Sequence, residues 1–109
     1  MIERILFVCS ANLQRSPTAE QLFSTWPGIK GASAGVFPEA AKPLSLKQVR
    51  WADMIIVMEE FHREAILERF EAHLAGKQVI CLGIPDRYAY MDPELVELMR
   101  KRVTPHLPR

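Results

Sequence analysis

The chain has 109 residues, with 14 basic and 13 acidic side chains and a formal net charge of +1. A nearly neutral surface has no general attraction for nucleic acid or an anionic membrane, so we expect neither as a partner. The length predicts a single domain over residues 1–109. The two cysteines, Cys9 and Cys81, form no disulfide framework, which indicates a reducing setting such as the cytoplasm.

Short apolar runs alternate with helical patterns along the chain. The runs predict strands at residues 5–9, about 30–34, 54–58 and 79–82, and they are too short for a signal peptide or a membrane span. The helical patterns cover residues 16–26, with Ser16 as the cap, then 45–51, 60–74, and a last helix from Asp92 through Val103. This alternation predicts an α/β fold, a three-layer sandwich with a four-stranded parallel sheet and helices on both faces.

The stretch that follows the first predicted strand contains a potential nucleophile and a potential anion clamp. Five residues separate Cys9 from Arg15, and Ser16-Pro17 opens the next helix. A loop of this length between a strand and a helix can direct its N–H groups at one point, which suits an anion. Arg15 supplies a planar fork for phosphate oxygens, and Cys9 would lie behind the phosphorus for in-line attack. The sequence therefore predicts a phosphate-binding loop of Ser10, Ala11, Asn12, Leu13, Gln14 and Arg15.

The residue types around Cys9 decide between two interpretations of that cysteine. An isolated cysteine at the end of an apolar run is more often a small buried hydrophobic residue than a nucleophile. Here the strand, Cys9, Arg15 and a proline at the start of a helix occur together, and Pro17 is suited to a first helical position. The positive field of the loop and of Arg15 favours the thiolate over the thiol. We therefore interpret Cys9 as a nucleophile.

The loop and its surroundings resemble the low-molecular-weight protein tyrosine phosphatases. The loop of that family reads V-C-x-G-N-x-x-R-S-P-x-A-E, and residues 8–20 here read V-C-S-A-N-L-Q-R-S-P-T-A-E. Residues 32–35 and 52–58 look like the second and third strands of the family. The resemblance implies a phosphomonoester hydrolase, most simply a protein tyrosine phosphatase, that forms a phosphocysteine and needs no metal or cofactor. It also implies a phosphorylated protein or a small phosphomonoester as substrate.

The resemblance also implies roles for single residues. Cys9 becomes the nucleophile, Arg15 the phosphate clamp, and Ser16 the hydroxyl that hydrogen-bonds the thiolate. Asn12 would hold the loop, because asparagine tolerates the left-handed backbone that a tight cradle needs. Ser33 matches the serine that contacts this asparagine.

The sequence departs from the family pattern at three places. Ala11 replaces the loop glycine, and Gln14 replaces a second loop cysteine that could protect the nucleophile as a disulfide. Residues 36–44 replace a longer loop and a full helix, which makes the chain similar to a compact bacterial-type branch of the superfamily. Phe37 is either a stand-in for the aromatic substrate wall of the family or a core residue.

The family supplies its general acid from an aspartate after the fourth strand, and two candidates exist here. Asp86 follows the predicted strand directly, whereas Asp92 precedes a proline as in the family but also suits the cap of the last helix. We therefore favour Asp86 as the general acid. Tyr88 and Tyr90 would either flank the cleft as flat walls or pack against the last helix.

Two other functions share part of this pattern. An arsenate reductase would use the same loop but needs two further cysteines, and only Cys81 remains. A phosphate-binding or phosphopeptide-binding module would keep the loop without turnover. The three histidines show no metal-ligand spacing and are predicted to be solvated: His62, His73 and His106.

Overall fold

The computed structural model describes residues 2–107 and contains one parallel four-stranded sheet. Its strands stand in the order β2-β1-β3-β4 and are β1 (Glu3–Cys9), β2 (Ile29–Gly35), β3 (Met54–Val57) and β4 (Gln78–Cys81). The helices are α1 (Arg15–Phe23), α2 (Leu46–Trp51), α3 (Glu60–Phe70) and α4 (Pro93–Val103), with short 3-10 turns at Glu71–His73 and Thr104–His106. None of the helices within residues 2–107 is long and apolar enough to cross a bilayer.

Successive residues of the central strand β1 are buried in two different layers. Ile5 and Phe7 pack beneath α1 and α4, whereas Leu6 and Val8 pack beneath α2 and α3. Such burial on both faces explains why the strand reads as a continuous apolar run and not as an alternating one. The predicted three-layer sandwich with a four-stranded parallel sheet is confirmed.

Two of the helices, α2 and α4, begin at residues whose side chains satisfy free backbone N–H groups. Ser45 and Gln48 form a capping box at the start of α2, and Asp92 caps α4 by accepting the N–H of Glu94 at 2.9 Å. These starts agree with the sequence patterns, because both depend on residues close together in the chain.

The start of α1 differs from the prediction. The helix begins at Arg15, so Ser16 lies inside its first turn and is not the cap, and Pro17 is the third helical residue. Proline is still tolerated there, because the N–H groups of a first turn have no partner within the helix. The Ser16 hydroxyl does not cap the helix and instead contacts the side chains of Cys9 and Asn12.

The topology places the loop after β1 at a crevice. From β1 the chain passes through α1 to β2 on one side, and β3 pairs with β1 on the other side. In sheets of this kind, ligands bind at the carboxyl ends of the strands where the order reverses. Cys9 is the last residue of β1 and therefore lies at this position.

Candidate active site

The backbone of the loop after β1 leaves its N–H groups available to a ligand. The carbonyl groups of Cys9, Ser10 and Ala11 accept the N–H groups of residues 36, 37 and 41, at 2.9, 3.1 and 3.0 Å. Among the hydrogen bonds found within residues 2–107, none has the backbone N–H of residues 10–15 as its donor. Consecutive N–H groups at the start of a helix favour an anion. The short segment 36–41 thus binds only the carbonyl groups of the loop and leaves the N–H groups of the loop available.

Two residues allow the chain to turn tightly here. Asn12 has a φ of 59°, the left-handed conformation that asparagine adopts at lower cost than most residues. Gly35 lies directly against the loop, because a Cβ at this position would be 2.5 Å from the carbonyl oxygen of Ser10 and 3.0 Å from the nitrogen of Asn12. A side chain at residue 35 would therefore displace the loop.

The Cys9 thiol is buried and is contacted by a hydroxyl group. Its Sγ lies 2.9 Å from Ser16 Oγ, and Asn12 Nδ2 donates to the same Oγ at 2.8 Å. The Ser16 oxygen thus accepts from the amide and can give its own proton to sulfur, which stabilises a thiolate. The carbonyl oxygen of Ala34 is the only other acceptor recorded for that proton among residues 2–107, at the longer distance of 3.3 Å.

The guanidinium of Arg15 is held by three acceptors and keeps two donors free. Nη1 donates to Glu59 Oε1 at 2.5 Å and to the carbonyl oxygen of Ile84 at 2.7 Å, and Nη2 donates one proton to Ser10 Oγ at 3.4 Å. Nε–H and the second proton of Nη2 form no hydrogen bond within residues 2–107. Two donors on one buried guanidinium can bind two oxygens of a phosphate group.

The two candidate acids lie in different environments. Asp86 Oδ1 is 3.8 Å from Nε of Arg15, and the carboxylate is 61% exposed. Asp92 instead accepts the N–H of Glu94 at the start of α4. Asp86 therefore lies beside a guanidinium donor that remains for a ligand, whereas the carboxylate of Asp92 serves the helix.

The comparison with curated proteins gives a partial match. No model of a known protein family matches this sequence. A protein-arginine-phosphatase of Geobacillus stearothermophilus is 34% identical over a 91-residue alignment, which covers 62% of this chain and 62% of the relative. The chain thus spans less than two thirds of the length of that relative.

Solved structures match over nearly the whole chain. YwlE arginine phosphatase from Geobacillus stearothermophilus is 26% identical with a TM-score of 0.74, covering 95% of this chain and 92% of that one. The low-molecular-weight protein tyrosine phosphatase SP-PTP from Streptococcus pyogenes is 19% identical with a TM-score of 0.79, covering 97% and 91%. The chain thus shares the fold of the low-molecular-weight protein tyrosine phosphatases. Wzb from Escherichia coli K30, a tyrosine phosphatase solved with phosphate, shares the fold at 21% identity, with a TM-score of 0.76 and coverages of 97% and 96%.

The predicted contact between Ser33 and Asn12 is wrong. Ser33 Oγ donates to Glu20 Oε1 at 2.5 Å, and Lys42 Nζ donates to the same oxygen at 3.1 Å. The Ser33 hydroxyl therefore bonds a carboxylate of α1 and not the loop. The side-chain oxygen of Asn12 is buried and has no hydrogen-bond partner within residues 2–107.

The aromatic residues proposed as a substrate wall lie in three different places. Phe37 is 40% exposed, so it is not a core residue, and its N–H donates to the carbonyl of Ser10. Tyr88 is 9% exposed and belongs to the core beneath α4, so the packing interpretation applies to it and the wall interpretation is wrong. Tyr90 is half exposed and lines a groove along α1 beside Pro17.

Two residues at the start of α3, Glu59 and His62, are part of the site, but the sequence motifs did not predict either of them. His62, predicted to be solvated, is fully buried: its Nε2 lies 2.9 Å from Ser10 Oγ, and its Nδ1 accepts the N–H of Glu59 at 3.0 Å. Burial, and then the positive charge of Arg15, lower the pKa of His62 to about 4. The available signal was position, since both residues follow the carboxyl end of β3, at the same edge of the sheet as Cys9.

Proposed function

We propose that this chain is a cysteine-dependent phosphatase that hydrolyses a phosphorylated protein side chain through a phosphocysteine on Cys9. The observation that carries the proposal is the arrangement around one loop. A buried thiol lies beside the Ser16 hydroxyl, and the loop N–H groups and two donors of the buried Arg15 have no partner among residues 2–107. This set of donors suits a phosphate dianion with a nucleophile behind it.

The proposed reaction has two steps. The Cys9 thiolate attacks phosphorus, so that a sulfur–phosphorus bond forms while the bond to the leaving atom breaks, and the Asp86 carboxylic acid donates its proton to that atom. The Asp86 carboxylate then takes a proton from water, whose oxygen attacks phosphorus and releases phosphate and the thiolate. In both steps, Arg15 and the loop N–H groups stabilise the charge on the three equatorial oxygens.

The exposed apolar residues beside the loop favour an aromatic leaving group. Leu13 lies in the loop itself and is 57% exposed. Phe37 lies in the neighbouring segment, where its N–H donates to the loop carbonyl of Ser10. Apolar side chains at the rim would pack against an aryl ring. We therefore propose phosphotyrosine as the preferred substrate, with phosphoarginine second because of the relatives named as arginine phosphatases. We further propose that the enzyme acts as one domain in the reducing cytoplasm, where Cys9 is not oxidised.

An arsenate reductase is disfavoured by the position of the second cysteine. Cys81 ends β4, two strands away from β1 in the sheet, and packs in the layer beneath α2 and α3. Cys9 belongs to the layer on the opposite face. A disulfide between the two cysteines would need the chain to move across the sheet.

One experiment separates a phosphatase from a binding module. Three peptides of the same sequence, phosphorylated on tyrosine, arginine or serine, are offered to the wild-type chain, and released phosphate and bound peptide are both measured. We expect phosphate release, fastest from phosphotyrosine, its loss in Cys9→Ser, and full activity in the matched control Cys81→Ser. Peptide binding without phosphate release would favour the module, and unchanged turnover in Cys9→Ser would exclude Cys9 as the nucleophile.

A further inference from the structure

His62 contacts the two residues whose side chains accept from the Arg15 guanidinium, Glu59 and Ser10. Its Nδ1 accepts the backbone N–H of Glu59, whose carboxylate binds Nη1 of Arg15. Its Nε2 lies 2.9 Å from Ser10 Oγ, which accepts from Nη2 of Arg15. The four residues Arg15, Glu59, His62 and Ser10 therefore form a closed ring of hydrogen bonds, which we call the arginine ring.

The direction of each hydrogen bond in the arginine ring follows from its donors. A backbone N–H can only donate, so Nδ1 of His62 is the acceptor and the imidazole proton lies on Nε2. Nε2 then donates to Ser10 Oγ, and this oxygen accepts from both His62 and Arg15. A neutral imidazole with its proton on Nε2 is the only form that satisfies both contacts.

The surroundings keep His62 in that neutral form. The side chain is fully buried, and burial together with the positive charge of Arg15 lowers its pKa to about 4. An imidazolium would lose the acceptor at Nδ1 and would place a second cation beside Arg15. Near neutral pH the arginine ring therefore has one hydrogen-bond pattern.

We propose that His62 is a positioning residue of the phosphate site, which fixes the Arg15 guanidinium through Ser10 on one side and Glu59 on the other. The inference rests on the proposed function for the identity of the ligand, a phosphate group. Three hydrogen bonds orient the Arg15 guanidinium so that its two remaining donors point at a ligand, and a guanidinium held by fewer acceptors would bind phosphate in several orientations. Neither the chain spacing of His62 from the loop nor the phosphatase motif predicts this role.

His62 makes two contacts, one from Nδ1 to Glu59 and one from Nε2 to Ser10, which we call the Glu59 arm and the Ser10 arm. Two substitutions separate these two contacts. Asn can supply an acceptor at the place of Nδ1 but no donor at Nε2, so His62→Asn keeps the Glu59 arm and breaks the Ser10 arm. Gln can reach Ser10 with a donor at the place of Nε2, so His62→Gln keeps the opposite arm. Ser10→Ala breaks the Ser10 arm from the other end, and Ser10→Thr restores a hydroxyl. His106→Asn, at an exposed histidine outside the site, is the matched control.

The probe is inorganic phosphate, whose dissociation constant is measured by calorimetry at pH 7 on the full chain, with a thermal unfolding curve for each variant. We expect His62→Asn and Ser10→Ala each to weaken phosphate binding about tenfold, the typical loss for a hydrogen bond to a charged group. Because both break the same arm, the double variant should also lose about tenfold and not a hundredfold. Ser10→Thr should recover most of the affinity that Ser10→Ala loses, and His106→Asn should bind as the wild type does.

Three outcomes would overturn the proposal. One is wild-type phosphate affinity in Ser10→Ala, a small substitution that tests the arm even if the His62 variants do not fold. Another is a double variant in which the two losses multiply. The third is a wild-type chain that binds no phosphate, which would also contradict the proposed function. A wild type that binds phosphate but has no turnover would contradict only the proposed function, because the comparison of dissociation constants needs no catalysis.

Discussion

The inner and outer parts of the proposed phosphate site differ in burial and in the number of hydrogen bonds they make. Cys9, Asn12, Arg15 and Ser16 are each at most 3% exposed and hydrogen-bond to one another or to the strands around them. At the outer rim, by contrast, Asp86 has a side chain that is 61% exposed, with no hydrogen bond to a residue of the loop.

This difference separates two tasks. In the proposed reaction the inner residues would set the geometry of the bound anion, and removing one of them leaves buried polar partners unsatisfied, which costs stability as well as activity. The rim residues would meet the leaving group, and changes there should have little effect on the fold. Substitutions inside should therefore affect every substrate, whereas those at the rim should depend on the leaving group.

The largest effect is expected at the centre of the inner part. Arg15→Lys should lower kcat/KM for para-nitrophenyl phosphate by roughly 10³-fold, because an ammonium cannot hold two oxygens and leaves Glu59 and the Ile84 carbonyl without their shared donor. Steady-state kinetics measure the change. Arg87→Lys, at the exposed arginine next to Asp86, should stay within about twofold of the wild type. Equal losses in the two variants would remove the distinction between inner part and rim.

At the rim, removal of the general acid Asp86 should slow the hydrolysis of substrates with poor leaving groups most. Asp86→Asn should lower kcat for phenyl phosphate by about 10²-fold, and less for para-nitrophenyl phosphate, because para-nitrophenolate departs more readily without a proton. The control is Asp92→Asn, since asparagine caps a helix as well as aspartate does, and it should change neither rate. Loss of activity in Asp92→Asn but not in Asp86→Asn would reverse the assignment of the acid.

A fall in pH should lower the free energy of unfolding through protonation of His62. The folded-state pKa of about 4 lies below the ordinary value of 6.5, so the unfolded chain binds the proton first as the pH falls. The stability associated with neutral His62 is complete above pH 6.5 and is lost between about pH 6.5 and 4. Each unit of pKa difference is worth about 1.4 kcal/mol, which gives a loss on the order of 3 kcal/mol.

Urea unfolding across this pH range measures the loss. His62→Asn has no imidazole to protonate, so its free energy of unfolding should fall less steeply over the same interval. Nearby charged groups, Arg15 and Asp86, are present in both proteins, so the difference between the two slopes reports on His62. Identical slopes would show that the histidine is not buried in a neutral form.

Gly35 tests how closely the loop lies against β2. Gly35→Ala would place a methyl group 2.5 Å from the carbonyl oxygen of Ser10, so we expect a loss of about 2 kcal/mol in the free energy of unfolding, with reduced phosphate affinity. Gly31→Ala is the control on the same strand, where the nearest atom is Ser24 Oγ, at the end of a side chain that can rotate. If both variants are equally stable in urea, the close contact does not exist.

The smallest effect is expected from the aromatic residue at the rim. Phe37→Ala should lower the preference for phosphotyrosine over phosphoserine peptides by about threefold, the contribution of one aromatic contact. Leu67→Ala, at an equally exposed apolar residue of α3, should leave the ratio of kcat/KM values unchanged. A ratio that is also unchanged in Phe37→Ala would remove Phe37 from the substrate wall.

The sequence predicted the sheet and the loop because both depend on short-range patterns. Apolar runs set the strands, and the spacing from Cys9 to Arg15 lies within one strand–loop–helix unit. The cap of α4 at Asp92 was predicted for the same reason. The error at Ser16 was also local: a serine before proline suits a cap, but the helix begins one residue earlier and the hydroxyl binds the thiol.

The rest of the site depends on contacts between distant segments. Glu59 and His62 come 44 and 52 residues after their partners Arg15 and Ser10, and no spacing rule joins them. Ser33 was assigned to Asn12 from the resemblance alone, whereas in the fold its hydroxyl donates to the Glu20 carboxylate, which also accepts from Lys42. Side-chain partners across a sheet are decided by packing, which only the folded chain shows.

The proposed reaction is tested most directly by finding which residue of the enzyme carries the phosphoryl group. Wild-type protein is mixed with excess para-nitrophenyl phosphate and quenched within the first turnover, and the phosphoryl group is located by mass spectrometry of its peptides. We expect one phosphoryl group on Cys9, and none on that peptide in Cys9→Ala. Rapid turnover without any phosphorylated protein, or a phosphoryl group on Ser10 or Ser16 instead, would contradict the proposed reaction.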